Sequence, residues 1–208
     1  MLVLGLDPSL RNYGWCLIDT EAPPIVKAKG RFHTDTKTVF IERYMYLRSE
    51  ISSLCCQYPD IACVGIESPP FGELWSEGLY GLFLYAIEAL HDQHKNVFFW
   101  DPSTVKSVAR EFLGKEHGQM FKSDMIDAAK KATGEKRWNN DEADAFHVAH
   151  MTSRFVDFYQ DRIKESELSP KEHWVFTGIK EMKKTGAIKR RGMIFKENDR
   201  FFLFGGGF

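Results

Sequence analysis

Two short apolar runs of this chain each end in a carboxylate, and this pattern constrains the fold more than any other feature. The first run is LVLGL, residues 2–6, followed by Asp7, and the second is IACVGI, residues 61–66, followed by Glu67. Such runs are typical of strands buried on both faces, where an unpaired carboxylate costs several kcal/mol or takes up a proton. Neighbouring strands would bring the two acids together. We therefore expect both acids at one edge of a sheet, with a cationic partner between them.

The remaining pattern predicts a mixed α/β sheet flanked by helices. Strands are expected at residues 2–7, 13–19 and 25–33, joined by short turns that favour an antiparallel meander, and again at 61–67 and 96–100. Helices are expected at residues 38–57, 74–94, 102–111, 122–133 and 141–159, the last with Asn139 or Asn140 as its N-cap. This order of strands and helices is typical of α/β domains.

The helix predicted at 141–159 adds two acids to the pair at the strand ends. Asp141 and Asp144 are three residues apart and so share one helix face, whereas Glu142 points elsewhere. With Asp7 and Glu67 they make a set of hard oxygen ligands that suits Mg²⁺ or Mn²⁺. Two such ions can activate a water and stabilise the leaving oxygen of a phosphodiester. Each acid alone has an ordinary interpretation in a turn or a first helical turn, so only their combination indicates catalysis.

Three separated segments resemble the RuvC-type Holliday junction resolvases of the ribonuclease H-like fold. They are LGLDPSLRNYGWCLID, VGIESPPFG and NNDEADAFHVAH, and the resemblance covers residues 1–155. It implies a ribonuclease H-like sheet of three antiparallel strands plus parallel strands, flanked by helices, with a C-terminal extension. It also implies two bound Mg²⁺ ions, for which Mn²⁺ can substitute. The catalytic and metal-binding acids would be Asp7, Glu67, Asp141 and Asp144.

The activity implied by this resemblance is that of a Mg²⁺-dependent endodeoxyribonuclease. It would act as a homodimer that resolves four-way DNA junctions by symmetric nicks, with the apolar helix 74–94 as the natural seam between copies. One alternative is a ribonuclease H-like nuclease acting on flaps or replication forks, and another is a non-catalytic junction-binding protein, which would have lost an acid. An actin-like sugar kinase or ATPase also opens with a strand ending in Asp, but its two duplicated domains usually need far more than 208 residues.

Basic and aromatic side chains near the acids are candidates for contact with DNA. Lys106 and Lys122 stand where the resembled family carries basic residues, and lysines position a phosphate backbone without reading its sequence. Phe71, shortly after Glu67, is a candidate for stacking on unpaired bases. His147 is more typical of a surface or core residue than of a zinc ligand, and could support the carboxylates from a second layer. Core packing for Phe71 and solvated helix faces for the lysines are the ordinary alternatives.

The C-terminal part of the chain, residues 161–208, is interpreted as a basic extension of a nuclease domain at residues 1–160. The formal net charge is only −1, but residues 180–200 hold eight basic residues against three acids. Strands are predicted at 187–196 and 200–204 around a turn at 197–199. In such a hairpin Lys189, Arg190 and Arg191 would clamp a junction arm through its phosphates. The alternative is a hairpin that only packs its aromatic residues on the core.

The sequence also limits the class of protein. It lacks a signal-like start and any run of about 18 apolar residues, and its four cysteines have no C-x-x-C spacing. We therefore expect a soluble, cytoplasmic protein with branched DNA and a second copy of itself as partners, and no membrane. The C-terminal extension favours a viral or mobile-element protein acting in a host cell.

Overall fold

The computed structural model describes residues 1–20, 23–35, 37–68, 77–115, 118–185, 192–197 and 200–205 of the chain. Its strands are β1 Leu2–Asp7, β2 Asn12–Asp19, β3 Ile25–His33, β4 Ile61–Glu67, β5 Asn96–Trp100, β6 Gly192–Glu197 and β7 Arg200–Gly205. Its helices are α1 Phe40–Gln57, α2 Glu77–Asp92, α3 Pro102–Ala109, α4 Lys122–Thr133, α5 Asn140–Tyr159 and α6 Pro170–Thr185. Short 3-10 turns cover Arg110–Leu113 and Glu165–Glu167.

One sheet joins the strands in the order β3-β2-β1-β4-β5-β7-β6. The first three strands form an antiparallel meander, and β1, β4 and β5 run parallel to one another. The predicted mixed sheet of antiparallel and parallel strands with flanking helices is therefore confirmed. Because β1 and β4 are parallel neighbours, their carboxyl ends lie at the same edge of the sheet.

Helices cover both faces of this sheet. On one face α1 and α2 pack on Leu4 and Leu6 of β1, and on the other face α5, with α3, α4 and α6, packs on Val3. The central strands β1 and β4 are therefore apolar on both faces, which explains why their sequences do not alternate between apolar and polar residues. None of the helices in the described ranges combines the length and the apolar character needed to cross a membrane.

Two glycines allow α5 to approach the sheet closely. A Cβ atom on Gly5 of β1 would overlap the carbonyl oxygen of Ala145, and one on Gly14 of β2 would overlap the carbonyl oxygen of Asp141. The helix backbone therefore lies directly against the strand backbone at these two points. The first turn of α5 is held in this way beside the strand end that carries Asp7.

The start of α5 is fixed by reciprocal capping, as the Asn-rich segment before it predicts. The Oδ1 atom of Asn139 accepts a hydrogen bond from the backbone N–H of Glu142 at 2.9 Å. The carboxylate of Glu142 accepts one from the backbone N–H of Asn139 at 3.3 Å. Both bonds satisfy donors that a helix start otherwise leaves unpaired.

Some element ends differ from the predictions. The helix predicted to reach residue 111 ends as α3 at Ala109 and continues as a 3-10 turn, and α2 ends at Asp92 rather than at residue 94. The predicted start of α2 at residues 74–76 lies outside the described residues. The sequence patterns predict no element at Pro170–Thr185, where the structure has α6.

The C-terminal strands lie where a hairpin is predicted, and they continue the main sheet. β6 and β7 pair antiparallel, and β7 pairs parallel with β5, with Trp100 opposite Gly205. The predicted strand residues 187–191 lie outside the described residues. The Phe176 ring of α6 packs 5.4 Å from that of Phe155 in α5. The division of the chain at residue 160 stays a prediction.

Candidate active site

Four carboxylates converge at the edge of the sheet where β1 and β4 end. Asp7 is the last residue of β1 and Glu67 the last residue of β4, and the preceding residues of the two strands are register partners. Asp141 and Asp144 lie in the first turns of α5, which packs against β1 and β2. The structure therefore brings together the four acids that the sequence singles out.

Burial has the largest influence on the pKa values of three of these acids, Asp7, Glu67 and Asp144, and neighbouring carboxylates add to it. Burial raises the pKa of Asp7 well above its usual value, and the carboxylates of Glu67, Asp144 and Asp141 raise it further. Burial also raises the pKa of Glu67 to about 8, with Asp144 contributing. Burial raises the pKa of Asp144 to about 6, and Asp141 adds to that rise. Such mutual influence requires the four groups to lie near one another.

Two lysines offset part of this accumulated negative charge. Against the dominant effect of burial, Lys106 of α3 lowers the pKa of both Glu67 and Asp144. Lys122, the first residue of α4, acts in the same direction on Asp7 and Asp144. Both lysines that the sequence suggests for DNA contact thus lie within electrostatic reach of the carboxylate cluster.

The donor set fits a divalent cation that keeps part of its water shell. Asp144 Oδ1 is buried and, in the described part of the chain, has no hydrogen-bond partner. Among the described residues, no group of three or more His, Cys, Asp and Glu side chains has the spacing of a complete metal site. Mg²⁺ needs no such group, because one or two carboxylates, waters and substrate phosphates usually complete its octahedral shell.

Comparison with known proteins gives one consistent answer. No family model matches the chain. The crossover junction endodeoxyribonuclease RuvC of Rickettsia rickettsii (strain Sheila Smith) is 27% identical over 153 residues, which cover 72% of this chain and 95% of the relative. That of Rickettsia typhi is 28% identical over 157 residues, covering 73% and 96%.

Solved structures agree with these sequence relatives. The structure of Thermus thermophilus RuvC superposes with a TM-score of 0.64 at 16% identity, over 78% of this chain and 97% of the other. This chain is similar in sequence to RuvC and shares its ribonuclease H-like fold. A second structure, of T. thermophilus RuvC in complex with a Holliday junction substrate, has a TM-score of 0.63 at 18% identity and covers 72% of this chain and 91% of the other.

Arg31 is a basic residue of this RuvC-like site that sequence reasoning missed. Its Nη1 atom lies 3.9 Å from Oδ2 of Asp141, and about half of its side chain is exposed. Arg31 stands opposite Gly14 in the pairing of β2 with β3, and Gly14 contacts the backbone of Asp141. The register of the meander would have revealed it, but register depends on turn lengths that the sequence leaves open.

Asp101 is a further acid near Glu67, and its carboxylate is committed to a helix cap. Burial and then other groups, Asp101 among them, raise the pKa of Glu67. The Oδ1 atom of Asp101 accepts hydrogen bonds from the backbone N–H groups of Ser103 at 2.8 Å and Thr104 at 3.3 Å. The Asp-Pro pair at residues 101 and 102 is a sequence signal for this N-cap.

Glu142 points away from the cluster, as its spacing from Asp141 predicts. Its Oε2 atom lies 3.3 Å from the Nζ atom of Lys29, and that ammonium also lies 4.1 Å from the centre of the Trp138 ring. Glu142 therefore ties the start of α5 to β3 instead of facing the other acids.

His147 connects α5, which carries Asp141 and Asp144, with α4, which begins at Lys122. Its Nε2–H group donates to the carbonyl oxygen of Met125 in α4 at 2.9 Å, and the ring is only 3% exposed. Burial lowers the pKa of His147 to about 4, so the ring is neutral at pH 7. Its described hydrogen bond runs to α4 rather than to a carboxylate, which makes its contribution one of placing α4 against α5.

Phe71 and the three basic residues Lys189, Arg190 and Arg191 lie outside the described residues, so their roles stay predictions.

Proposed function

We infer that this chain is a Mg²⁺-dependent endonuclease that resolves four-way DNA junctions. The observation that carries this inference is the half-buried cluster of Asp7, Glu67, Asp141 and Asp144 with two lysines beside it. The names of the distant relatives, and the Holliday junction bound to T. thermophilus RuvC, support a branched DNA as the substrate.

The four acids would hold the metal ions, as their hard oxygen atoms suit Mg²⁺ and Mn²⁺. Burial and mutual repulsion make the metal-free cluster unfavourable when it is fully ionised, so a divalent cation restores the charge balance. When bound, Mg²⁺ supplies the activation of a water nucleophile and the stabilisation of charge on the phosphodiester. The Oδ1 atom of Asp144, which is buried without a described hydrogen-bond partner, is the strongest single support for a cation at this site.

Lys106 and Lys122 would hold the DNA strand at this cluster. Their ammonium groups bind phosphate oxygens and so orient the backbone without selecting its sequence. Arg31, half exposed beside Asp141, adds a third cation at the same edge. A basic segment at 189–191 would extend this phosphate contact along one arm, with an affinity that falls as salt rises.

The chain would act as a pair of identical copies, because two symmetric nicks need two sites related by a twofold axis. The surface of α1 and α2 favours this arrangement. It exposes large apolar side chains at 44% to 61% of their area, namely Phe40, Ile41, Met45, Tyr80 and Leu84. A second copy of the same surface would cover them.

The test is cleavage of synthetic four-way junctions, flaps and plain duplexes in Mg²⁺, with each nick mapped. We expect paired nicks at symmetric positions of the junction only. Asp7→Asn should abolish nicking while junction binding survives. Asp127 is an exposed carboxylate of α4, and Asp127→Asn should leave both nicking and binding unchanged. Cleavage of flaps as efficient as cleavage of four-way junctions would favour the alternative of a nuclease that acts on other branched DNA. Junction binding by the unchanged protein without any cleavage in Mg²⁺ or Mn²⁺ would favour a non-catalytic role.

A further inference from the structure

We propose that Phe121 stacks on an unpaired base of the DNA strand held at the carboxylate cluster. This inference rests on the function proposed above and adds a contact that selects branched over plain duplex DNA. Phe121 directly precedes Lys122, whose charge acts on Asp7 and Asp144.

Packing does not explain the aromatic side chain at this position. Phe121 is 61% exposed, whereas Met120 before it and Met125 after it are buried. Its backbone is extended, with φ −90° and ψ 167°, so Met120 and Phe121 point to opposite sides of the chain. Met120 anchors the segment in the core and Phe121 is directed into solvent.

Helix capping does not explain it either. Phe121 is the N-cap residue of α4, a position where Ser, Thr, Asp and Asn are preferred because their side-chain oxygen accepts from the helix start. Phenylalanine has no such oxygen. Asp124 instead accepts from the backbone N–H of Phe121 at 2.9 Å, and any residue other than proline could supply that donor. The ring is thus placed where neither burial nor capping favours it.

The local structure holds the backbone that carries the ring at the start of α4, next to Lys122. Asp124, which accepts from Phe121, also pairs with Lys115 at 2.6 Å and so ties the preceding loop to the first turn of α4. His147 fixes the same turn to α5 through the carbonyl oxygen of Met125. An aromatic side chain on a backbone that is already held in place loses little entropy when a planar group packs on it.

The chemistry of this position suits a nucleobase rather than a phosphate. Aromatic side chains stack on any base, because every base presents a π face, and this contact is tolerant of sequence. Bases inside an intact duplex have both faces covered by their neighbours. Phe121 can therefore stack only on a base that is unpaired or splayed, as at the crossover of a junction, while Lys122 holds the adjacent phosphate.

The experiment compares Phe121→Leu with Phe121→Trp, because leucine keeps an exposed apolar side chain and removes the π face. Junction affinity is measured in Ca²⁺, which should permit binding without cleavage, and single-turnover cleavage is measured in Mg²⁺. Phe121→Leu should weaken the junction-specific step by about 5- to 150-fold, the equivalent of about 1 to 3 kcal/mol for one stacked base, and affinity for plain duplex much less. Phe121→Trp should retain most of the activity.

Trp174→Leu is the matched control, since it makes a similar change at an exposed aromatic of α6. It should behave as the unchanged protein does. Cleavage and affinity unaffected by Phe121→Leu, in a preparation whose unchanged protein resolves junctions, would overturn the role of Phe121 alone. An unchanged protein that cleaves no branched DNA would instead contradict the proposed function.

Discussion

At the scale of single residues, Asp144 carries a cost in stability that its site imposes. One oxygen of its carboxylate is buried without a described partner, and burial raises the pKa of Asp144 to about 6. The folded state therefore binds a proton more tightly than the unfolded state does. Between about pH 4 and pH 6 the contribution of Asp144 to the stability of the metal-free protein falls as pH rises, because this carboxyl ionises first in the unfolded chain.

The destabilising charge of Asp144 leads to a prediction about Asp144→Asn. Asparagine keeps the size of the side chain and removes the charge, so above pH 6 the metal-free variant should be more stable by up to about 3 kcal/mol, at about 1.4 kcal/mol for each pKa unit. Cleavage should be lost at the same time. Thermal unfolding with a chelator at pH 4 and pH 7 measures the difference, which should nearly vanish at pH 4.

Asp127→Asn serves as the control for this measurement, because Asp127 is exposed on α4. It should change the unfolding temperature little at either pH. An Asp144→Asn protein less stable than the unchanged chain at pH 7 would show that Asp144 has a stabilising partner, and would weaken the assignment of a metal ligand.

At the scale of elements, the position of α5 depends on the two glycines that face it. Gly14→Ala should push the first turn of α5 away from β2, since the added Cβ overlaps the carbonyl oxygen of Asp141. We expect a loss of about 1 to 3 kcal/mol in stability, typical of overpacking, and a larger relative loss of cleavage because Asp141 and Asp144 move together.

Gly30→Ala provides a comparison within the same meander. The nearest atoms to a Cβ added there belong to the Trp15 ring, at 3.0 Å, and a side chain can shift where a helix backbone cannot. Both variants are followed by thermal unfolding and by junction cleavage. Equal losses of cleavage in the two variants, at equal stability, would argue against a special role for the contact between Gly14 and α5.

Most elements and the acidic cluster were predictable from sequence, and particular residues show why the rest was not. Apolar runs with turns between them predict β1, β4 and α4 with the bounds that the structure has. α6 is preceded by Ser169, which forms a capping box with Glu172 that the hydrophobic pattern alone overlooks. The backbone N–H of Glu172 donates to Ser169 Oγ at 3.2 Å, and the backbone N–H of Ser169 donates to Glu172 Oε2 at 2.9 Å. The position of Arg31 beside Asp141 could be predicted only from the register between β2 and β3, which depends on exact turn geometry.

At the scale of the whole molecule, the proposed pairing of two copies would use the exposed apolar surface of α1 and α2. Leu84→Glu places a charge on this surface without entering the core, because 44% of Leu84 is exposed. We expect a monomer in place of a dimer, and isolated single nicks in place of paired ones. Light scattering after size-exclusion chromatography measures the mass, and nick mapping shows whether nicks occur singly or in pairs.

The control for Leu84→Glu is Ile25→Glu, which alters an apolar residue of similar exposure outside α1 and α2, on edge strand β3. It should leave the dimer intact. A Leu84→Glu protein that remains dimeric would move the interface to a different surface, and an unchanged protein that is monomeric in solution at assay concentrations would contradict the pairing.

The pairing of β7 with β5 has a consequence for the newly made chain. Trp100 and Gly205 are register partners, yet about 100 residues separate them in sequence. At about 5 to 20 residues per second, the ribosome needs about 5 to 20 s to make that interval. During this time the apolar strand NVFFW stays an open edge in the emerging protein, a template for wrong pairing with other chains. Synthesis speed and chaperone access during those seconds should therefore influence how much of this protein folds correctly.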